Sequence, residues 1–317
     1  MRRFLLHALL FGTIALLGIA AYFQLNRHFV PAPRITPNAV LNMKLSHLRH
    51  RGTHTAHVLA VGSSMTMNNL GSAAVADHFQ DTSFVNMGAW GMDMEQCTGL
   101  AEVLVPYLRP TTVLVVSNLN DLVNDGKHYR IDTSRVANYL MHWSSTASYI
   151  RSLKPAYYLR EMERNKIRMF DHGNYEFMGV DEHGWAPLDV PAERISRERW
   201  DRRPPPTSWL ANDQYAAVER LGHYLKERNI RLVFIQSPYR NGVRDAAVDQ
   251  VVEQHLERLH RILDPLGHRV IDTTDRHWPD ELFVDYSHLS RTGAEQFTAY
   301  AMEQLRRSMS AADQAER

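Results

Sequence analysis

The chain has 317 residues and a formal net charge of +1, because 36 Lys and Arg residues offset 35 Asp and Glu residues. This near-neutral balance excludes a protein that binds nucleic acid through bulk positive charge. The single cysteine, Cys97, excludes an internal disulfide. The 17 histidines are scattered without the spacing of a metal site. We predict neither a metal ion nor a cofactor.

The N-terminus begins with two arginines, followed by an almost wholly apolar run over residues 4–25. About 20 such residues cross a bilayer as a helix, and positive charge before the span places the N-terminus in the cytoplasm. We therefore predict a single-pass signal anchor over residues 1–25 in the inner (cytoplasmic) membrane. The rest of the chain would lie on the periplasmic or extracytoplasmic side. A cleaved signal peptide, with residues 18–20 as its small-x-small site, is the alternative and exports the same remainder.

Residues 26–56 begin with several prolines and contain a short amphipathic patch around residues 41–48, so we predict a juxtamembrane stalk. From residue 57 to about 310, apolar runs alternate with amphipathic segments, and residues 311–317 form a polar tail. The predicted strands are 58–61, 83–86, 112–117, 231–236 and 268–272. The predicted helices are 72–80, 94–108, 214–229, 244–266 and 291–308. Solid apolar strands between amphipathic helices indicate an α/β fold with a parallel sheet covered on both faces.

A long connection, residues 122–212, separates the third and fourth predicted strands. Its first half, 134–170, has a helical pattern, and its second half, 171–210, is rich in glycine and proline. Connections of this length in compact domains are usually functional covers or disordered. Its aromatic residues argue against plain disorder: Tyr175, Phe177, Trp185, Trp200 and Trp209. We predict an insertion that lies over the sheet edge and shapes substrate access.

The stretch over residues 57–70, HVLAVGSSMTMNNL, contains the first candidate functional residues. Its apolar run stops at Gly62-Ser63-Ser64 and then continues into a segment that can be helical. A buried strand that ends in a turn of small residues places the first side chains of that turn at the C-terminal edge of the sheet. Open α/β sheets bind their ligands at this edge. Ser63 and Ser64 are therefore candidate nucleophiles, and this stretch alone does not choose between them.

A candidate base follows near the other end of the chain, in the sequence Asp285-Tyr286-Ser287-His288 before the last predicted helix. The DxxH spacing lets the carboxylate reach the Nδ1 atom of its own histidine, which leaves Nε2 to accept a proton from a serine. Taken alone this is a weak signal, because Asp and His near a helix start often serve only as caps.

Two further segments follow predicted strands and strengthen this interpretation. NMGAWG at residues 86–91 follows the second strand, and NLND at residues 118–121 follows the third. A glycine amide and an asparagine side chain at these strand ends can donate hydrogen bonds to a developing oxyanion. Each segment is also explained as an ordinary turn, but together with the serine turn and the DxxH they indicate an acyl-transfer site.

These four blocks resemble those of the SGNH/GDSL hydrolase superfamily, in the same order and spread over most of the chain beyond residue 56: GSS at 62–64, NMGAWG at 86–91, NLND at 118–121 and DYSH at 285–288. The resemblance implies a three-layer α/β/α sandwich with a parallel, flavodoxin-like sheet of about five strands. It makes Ser64 the nucleophile, His288 the base and Asp285 the residue that orients the histidine. It also implies three oxyanion donors: the Ser64 amide, Gly91 and Asn120. Gly91 fits better than Gly88, because the family's donor usually lies five residues after the asparagine.

Two positions depart from the family pattern. Ser63 stands where the family usually has Asp, and Asn118 stands where it has Gly. The GSS variant together with an N-terminal anchor is similar to membrane-tethered members associated with cell-envelope acylation, which work beside membrane-bound O-acyltransferases.

The resemblance implies a serine esterase or acyl-transfer enzyme that acts on O-acyl groups of an exported substrate, a cell-envelope or extracellular polysaccharide, through an acyl-Ser64 intermediate. A membrane-bound O-acyltransferase is the expected partner. The alternative is a catalytically silent scaffold that binds the polymer within an envelope acylation system. A lipid esterase ranks third, because the insertion is rich in Arg, Asp and Pro and lacks a long apolar lid sequence.

Overall fold

The computed structural model describes residues 1–52, 54–80, 83–124 and 129–315 of the chain. Its five strands form one parallel sheet with the order β2-β1-β3-β4-β5, which is the flavodoxin-like order. The strands are β1 (Val58–Ala60), β2 (Phe84–Asn86), β3 (Thr112–Ser117), β4 (Arg231–Gln236) and β5 (Arg269–Ile271). All six residues of β3 are buried, as expected for a central strand covered on both faces.

Helices cover both faces of the sheet, and the first helix of the chain lies outside these two layers. The helices of the described residues are α1 (Arg2–Leu25), α2 (Ala39–His50), α3 (Ser64–Asn69), α4 (Ser72–Phe79), α5 (Met94–Leu108), α6 (Thr133–Met141), α7 (Ser145–Arg151), α8 (Pro155–Arg168), α9 (Arg197–Trp200), α10 (Asn212–Lys226), α11 (Ala246–Leu263) and α12 (Arg291–Ala315). The predicted class, an α/β sandwich with a five-stranded parallel sheet, is confirmed.

Side chains of β3 alternate between two hydrophobic cores, one on each face of the sheet. Val113 and Val115 pack with apolar residues of α2, α5 and α10. Leu114 and Val116 pack on the other face, mainly with residues of α12 such as Phe297. This period of two places consecutive strand residues on opposite faces, so both helical layers are anchored to the same strands.

The insertion over residues 122–212 divides as its composition predicts. Its first half forms α6, α7 and α8, and its second half contains only the short α9 and 3-10 turns. Phe177 and Trp185 are buried in this second half, so these aromatic side chains hold its irregular backbone together. Trp209, by contrast, is mostly exposed.

The structure differs from the predicted stalk over residues 26–56. Residues of α2 belong to the core on the α5 side of the sheet, where Leu41 and Leu45 are fully buried. The helix begins at the cap residue Asn38, whose side-chain oxygen accepts a hydrogen bond from the amide of Leu41 at 3.0 Å. Apolar residues at 40, 41, 45 and 48 lie on one helical face, and this face needs a packing partner. The amphipathic patch that we predicted as part of a stalk is therefore a helix of the globular unit.

α1 spans 24 residues, none of them buried. Within the described parts of the chain it is the one helix that is long and apolar enough to cross a membrane, a test that signal sequences near an N-terminus also pass. Near its end, the Tyr22 hydroxyl donates to Glu163 of α8 at 2.9 Å.

Candidate active site

The two serines of the β1–α3 turn have different surroundings. Ser63 is buried and caps α3, because its Oγ accepts a hydrogen bond from the Met65 amide at 3.1 Å. The same hydroxyl donates to Asp121 Oδ2 at 2.8 Å. Ser64 is the first residue of α3 and is partly exposed. The Ser63 hydroxyl therefore makes two structural hydrogen bonds, whereas the Ser64 hydroxyl faces His288.

The turn is held tightly against the sheet. Thr66 Oγ1 donates to the Val116 carbonyl of β3 at 2.8 Å and accepts from the Val116 amide at 3.0 Å. A Cβ atom on Gly62 would lie 2.0 Å from Thr66 Oγ1, so only glycine fits at this point. These contacts fix the start of α3, and with it the position of Ser64.

His288 connects Ser64 to Asp285 through two hydrogen bonds. Its Nε2 lies 2.9 Å from Ser64 Oγ, and its Nδ1 lies 2.8 Å from Asp285 Oδ2. An ionised carboxylate only accepts hydrogen bonds, so Nδ1 carries the proton. Nε2 is then the unprotonated nitrogen that accepts from the Ser64 hydroxyl. This is the order of donors and acceptors that a serine nucleophile and its base require.

The environment of Asp285 keeps this carboxyl group ionised. Burial favours its neutral form, but the neighbouring His288 and the hydrogen bonds outweigh burial and hold the pKa of Asp285 below its ordinary value. Asp285 Oδ1 accepts from the amides of Ser287 at 2.9 Å and His288 at 2.7 Å. Since these bonds also fix the carboxylate in place, Asp285 orients the imidazole as well as balancing its charge.

Asn69, at the end of α3, joins this helix to the loop that carries Asp285 and His288. Its side chain is fully buried. Its Oδ1 accepts from the Leu289 amide at 3.0 Å, and its Nδ2 donates to the Ser287 carbonyl at 3.1 Å and to Ser237 Oγ at 2.9 Å. The sequence analysis missed this residue. The available signal was an asparagine inside a buried segment, because a buried amide must find partners.

The two side strands bring the other predicted site segments to the same edge. β1 pairs in parallel with both β2 and β3, so residues after all three strands meet at one end of the sheet. The Ala89 amide donates to the Gly62 carbonyl at 2.9 Å. The Gly88 amide donates to Asn86 Oδ1 at 2.9 Å within its own turn. Gly91, further along, has a φ of +62°, a conformation that favours glycine.

Asn120 follows β3 on a 3-10 turn that Asn118 organises. Asn118 Oδ1 accepts from both the backbone amide and the Nδ2 of Asn120, each at 3.0 Å. The Asn118 side chain therefore caps the turn and orients the amide of Asn120. Gly91 and Asn120 therefore lie after β2 and β3, on either side of the strand that leads to Ser64.

The insertion reaches the Asp285 loop through Arg199, which the sequence analysis also missed. Its Nη1 lies 3.9 Å from Asp285 Oδ2, and its carbonyl accepts from the Tyr286 amide at 3.2 Å. The guanidinium carbon lies 4.0 Å from the centre of the Tyr175 ring, and the Tyr175 hydroxyl donates to the Val284 carbonyl. Burial, with a smaller effect of Asp285, raises the pKa of Tyr175 to about 12, so its hydroxyl stays a donor. The second half of the insertion thus supports the loop that carries the histidine.

Comparison with known proteins gives structural neighbours but no sequence relative. No protein-family model matches the chain, and no curated protein matches it. A proposed acylhydrolase from Bacteroides fragilis aligns with a TM-score of 0.41 and 11% identity, over 91% of this chain and 95% of that one. A catalytic mutant of an acetylxylan esterase from Geobacillus stearothermophilus aligns with a TM-score of 0.41 and 14% identity, over 78% and 94%.

A third neighbour is an α/β hydrolase from the metagenome of Lake Arreo, Spain, with a TM-score of 0.40, 13% identity and coverage of 79% and 95%.

The class to which we assign this protein rests on its own sheet order and strand ends. It is a flavodoxin-like α/β sandwich with a hydrogen-bonded serine, histidine and aspartate where the strand order reverses, between β1 and β3.

Proposed function

We propose that this protein is a serine esterase or acyl-transfer enzyme of the SGNH type that works through an acyl-Ser64 intermediate. The observation that carries the proposal is the unbroken chain from Ser64 Oγ to His288 to Asp285, with distances of 2.9 and 2.8 Å. Such a chain activates a hydroxyl that is otherwise a poor nucleophile.

In the proposed mechanism Ser64 Oγ attacks the carbonyl carbon of an ester while its proton moves to His288 Nε2. The tetrahedral intermediate then expels the alcohol, which takes that proton from His288, and acyl-Ser64 remains. In the second half, His288 removes a proton from the incoming acceptor, and the acyl group leaves Ser64 as the proton returns to Oγ. Water as acceptor makes the protein an esterase, and a sugar hydroxyl makes it a transferase.

The proposed oxyanion donors are the amides of Ser64 and Gly91 and the side chain of Asn120. Three features support this assignment: Ser64 begins a helix, Gly91 and Asn120 follow the strands on either side of β1, and Asn118 orients the Asn120 amide. Donors held in place before the reaction cost no reorganisation when negative charge develops on the carbonyl oxygen.

The proposed substrate is an O-acylated, exported polysaccharide of the cell envelope or extracellular matrix. Support comes from α1, which is long and apolar enough to cross a membrane. In this proposal it anchors the catalytic unit at the outer face of the inner membrane. Support also comes from the resemblance to tethered members that work beside membrane-bound O-acyltransferases. A partner of that kind would supply or receive the acyl group.

The first test is turnover of p-nitrophenyl acetate by the full-length protein in detergent micelles. We expect Ser64→Ala to reduce turnover to the rate of buffer alone. Ser63→Ala should keep turnover and lose about 0.5–2 kcal/mol of stability as an N-cap. If Ser63→Ala lost turnover and Ser64→Ala retained it, the nucleophile would be Ser63 and not Ser64. No turnover in the wild-type protein would favour the scaffold alternative.

The substrate is tested in the cell. Mass spectrometry of acyl groups on envelope polysaccharides should show a change in O-acylation when Ser64→Ala replaces the wild-type protein. A fall in acylation indicates transfer to the polymer, and a rise indicates hydrolysis. Identical acylation in the two strains would contradict the polysaccharide assignment while leaving the esterase chemistry to the assay above.

A further inference from the structure

A cavity opens beside the Gly91 turn, on the side of the molecule formed by α8. Its volume is about 470 Å³, and it lies between residues 34–39, the turn at Trp90 and Gly91, and one face of α8. A volume of this size is typical of a small-molecule site. Because Gly91 lines it, the cavity borders the strand-end segments of the candidate active site.

The lining of this cavity is strongly cationic. Four arginines contribute to it: Arg34, Arg160, Arg164 and Arg168. The carboxylates that pair with them are Glu161, which is buried, and Glu176. Two negative charges therefore face four positive ones. Arg160 and Arg164 share Glu161 with Arg168, and their side chains remain 61% and 52% exposed.

Two hydrogen-bond donors in the cavity wall are buried and have no partner among the residues that the structure describes: Arg34 Nε and Trp90 Nε1. Both atoms are closed to solvent, so a ligand in the cavity does not reach them directly. The surplus of positive charge therefore favours an anionic, oxygen-rich ligand.

Aromatic rings give the wall a fixed shape. The guanidinium carbon of Arg34 lies 5.1 Å from the centre of the Tyr157 ring, and that of Arg168 lies 5.7 Å from the Trp90 ring. The Trp90 carbonyl accepts from Asn38 Nδ2 at 2.7 Å and from the Tyr129 hydroxyl at 3.1 Å. These contacts hold the guanidinium groups over ring faces and fix the backbone next to Gly91.

We propose that this cavity binds an acidic sugar of the polymer, bearing a carboxylate, sulfate or phosphate, next to the acylated sugar at Ser64. The assignment to a substrate rests on the proposed function. A concave site of this volume suits one sugar ring and its charged group better than the extended surface of a bilayer. The substrate class is therefore an acidic, O-acylated glycan rather than a neutral one.

The test measures binding rather than catalysis, with the full-length Ser64→Ala protein in neutral detergent micelles. The probe is hexameric oligogalacturonate, whose carboxylates supply the charge, and neutral maltohexaose is the reference. Isothermal titration calorimetry should give binding of oligogalacturonate that weakens with added salt, and at least about tenfold weaker binding of maltohexaose.

The variants remove charge from the cavity or from a matched surface site. Arg160→Gln with Arg164→Gln should weaken binding of oligogalacturonate about tenfold or more. Arg306→Gln with Arg307→Gln is the control, because this pair also shares one carboxylate, Glu303, on the exposed side of α12. It should leave the affinity unchanged. Arg160→Lys with Arg164→Lys keeps the charge and should retain most of the affinity, which separates loss of charge from loss of fold.

The proposal would be overturned if the cavity double variant bound oligogalacturonate as tightly as the unsubstituted arginines do. It would also be overturned if the control double variant lost as much affinity as the cavity double variant. Inorganic phosphate that competes with an affinity equal to that of oligogalacturonate would also overturn it, because the site would then recognise an anion and not a sugar. Vesicles of phosphatidylglycerol that bind in an Arg160- and Arg164-dependent manner, with no oligogalacturonate binding, would assign the cavity to the membrane surface. Because Ser64→Ala carries no catalysis, this result stands apart from the outcome of the esterase assay.

Discussion

Two parts of the molecule meet at the turn that follows β2, and they reach it in different ways. From the sheet, the Ala89 amide donates to the Gly62 carbonyl in the turn between β1 and α3. From outside the sheet, Lys44 of α2 donates to the Gly88 carbonyl at 2.6 Å. The residues at the carboxyl edge of the sheet belong to short sequence motifs, whereas α2 contributes to this turn by packing against the sheet. The segment before the first strand therefore supports the candidate site.

The two regions also treat charge differently. At the sheet edge, the charge of Asp285 is matched by His288 and by backbone amides, which lower its pKa. In α2, burial lowers the pKa of Lys44 to about 7, and the nearby Asp181 opposes that effect only partly. Asp285 is stabilised as an ion, whereas Lys44 is a charge that the fold accommodates at a cost. Substitutions in the two regions should therefore separate effects on rate from effects on stability.

The largest effect is expected at the sheet edge, for Asp285→Asn. The amide of an asparagine can donate to His288 Nδ1, so Nε2 would carry the proton and could not accept one from Ser64 Oγ. We expect kcat for p-nitrophenyl acetate to fall by about 10³–10⁴. Circular dichroism checks that the variant is folded. An unchanged kcat would show that Asp285 has no role in catalysis and only stabilises its loop.

Asn120→Ala removes one proposed oxyanion donor and leaves the serine and histidine in place. The expected loss in kcat is about 10²–10³, with little change in KM, because the bond forms only as charge develops. Asn124→Ala is a suitable control, since its side chain bonds to Asp213 on the surface. A rise in KM at constant kcat would make Asn120 a binding residue and not an oxyanion donor.

In α2, Leu45→Ala tests whether this helix belongs to the globular unit. Leu45 is fully buried, so truncation should lower the free energy of unfolding by about 2–5 kcal/mol. Leu159→Ala on α8 is the control, because its side chain is exposed. Urea denaturation of the full-length variants provides the measurement. Equal stability of the two variants would contradict the packing of α2 in the core and would support the stalk predicted from the sequence.

The smallest expected effect is the pH dependence that Lys44 gives to stability. Its pKa of about 7 in the folded protein lies below its ordinary value of 10.5. Between these values the unfolded chain holds a proton that the folded protein has released, so the free energy of unfolding rises with pH. The slope is at most about 1.4 kcal/mol per pH unit.

Lys44→Met should remove this rise, and urea melts between pH 6 and pH 9 measure it. The wild-type protein should gain stability relative to the variant as the pH rises through 7, whereas the exposed Lys154→Met should follow the wild type. Parallel curves for wild-type protein and Lys44→Met would show that Lys44 does not titrate in this range.

The strands and most helices could be predicted from the sequence, because a buried parallel strand and an amphipathic helix each have a local pattern. The DxxH spacing likewise predicted the bond between Asp285 and His288, since three residues of one turn bring them together. Asn69 and Arg199 could not be found in this way. Their partners lie on segments distant in the chain, and no local pattern encodes those contacts.

The position of α2 was missed for a related reason. Prolines before residue 38 are typical of an extended linker, and the amphipathic pattern that follows does not identify the partner of its apolar face. Only the hydrophobic core that α2 shares with α5 and α10 shows what that face covers. Local composition described the start of the segment, whereas tertiary packing decided the rest.

The most direct test of the central claim is to locate the nucleophile by mass spectrometry. Full-length protein is treated with a fluorophosphonate, digested and sequenced by fragmentation. We predict one adduct, on Ser64, that disappears in Ser64→Ala and forms far more slowly in Asp285→Asn. An adduct on Ser63, or no adduct on the folded wild-type protein, would contradict the acyl-Ser64 mechanism.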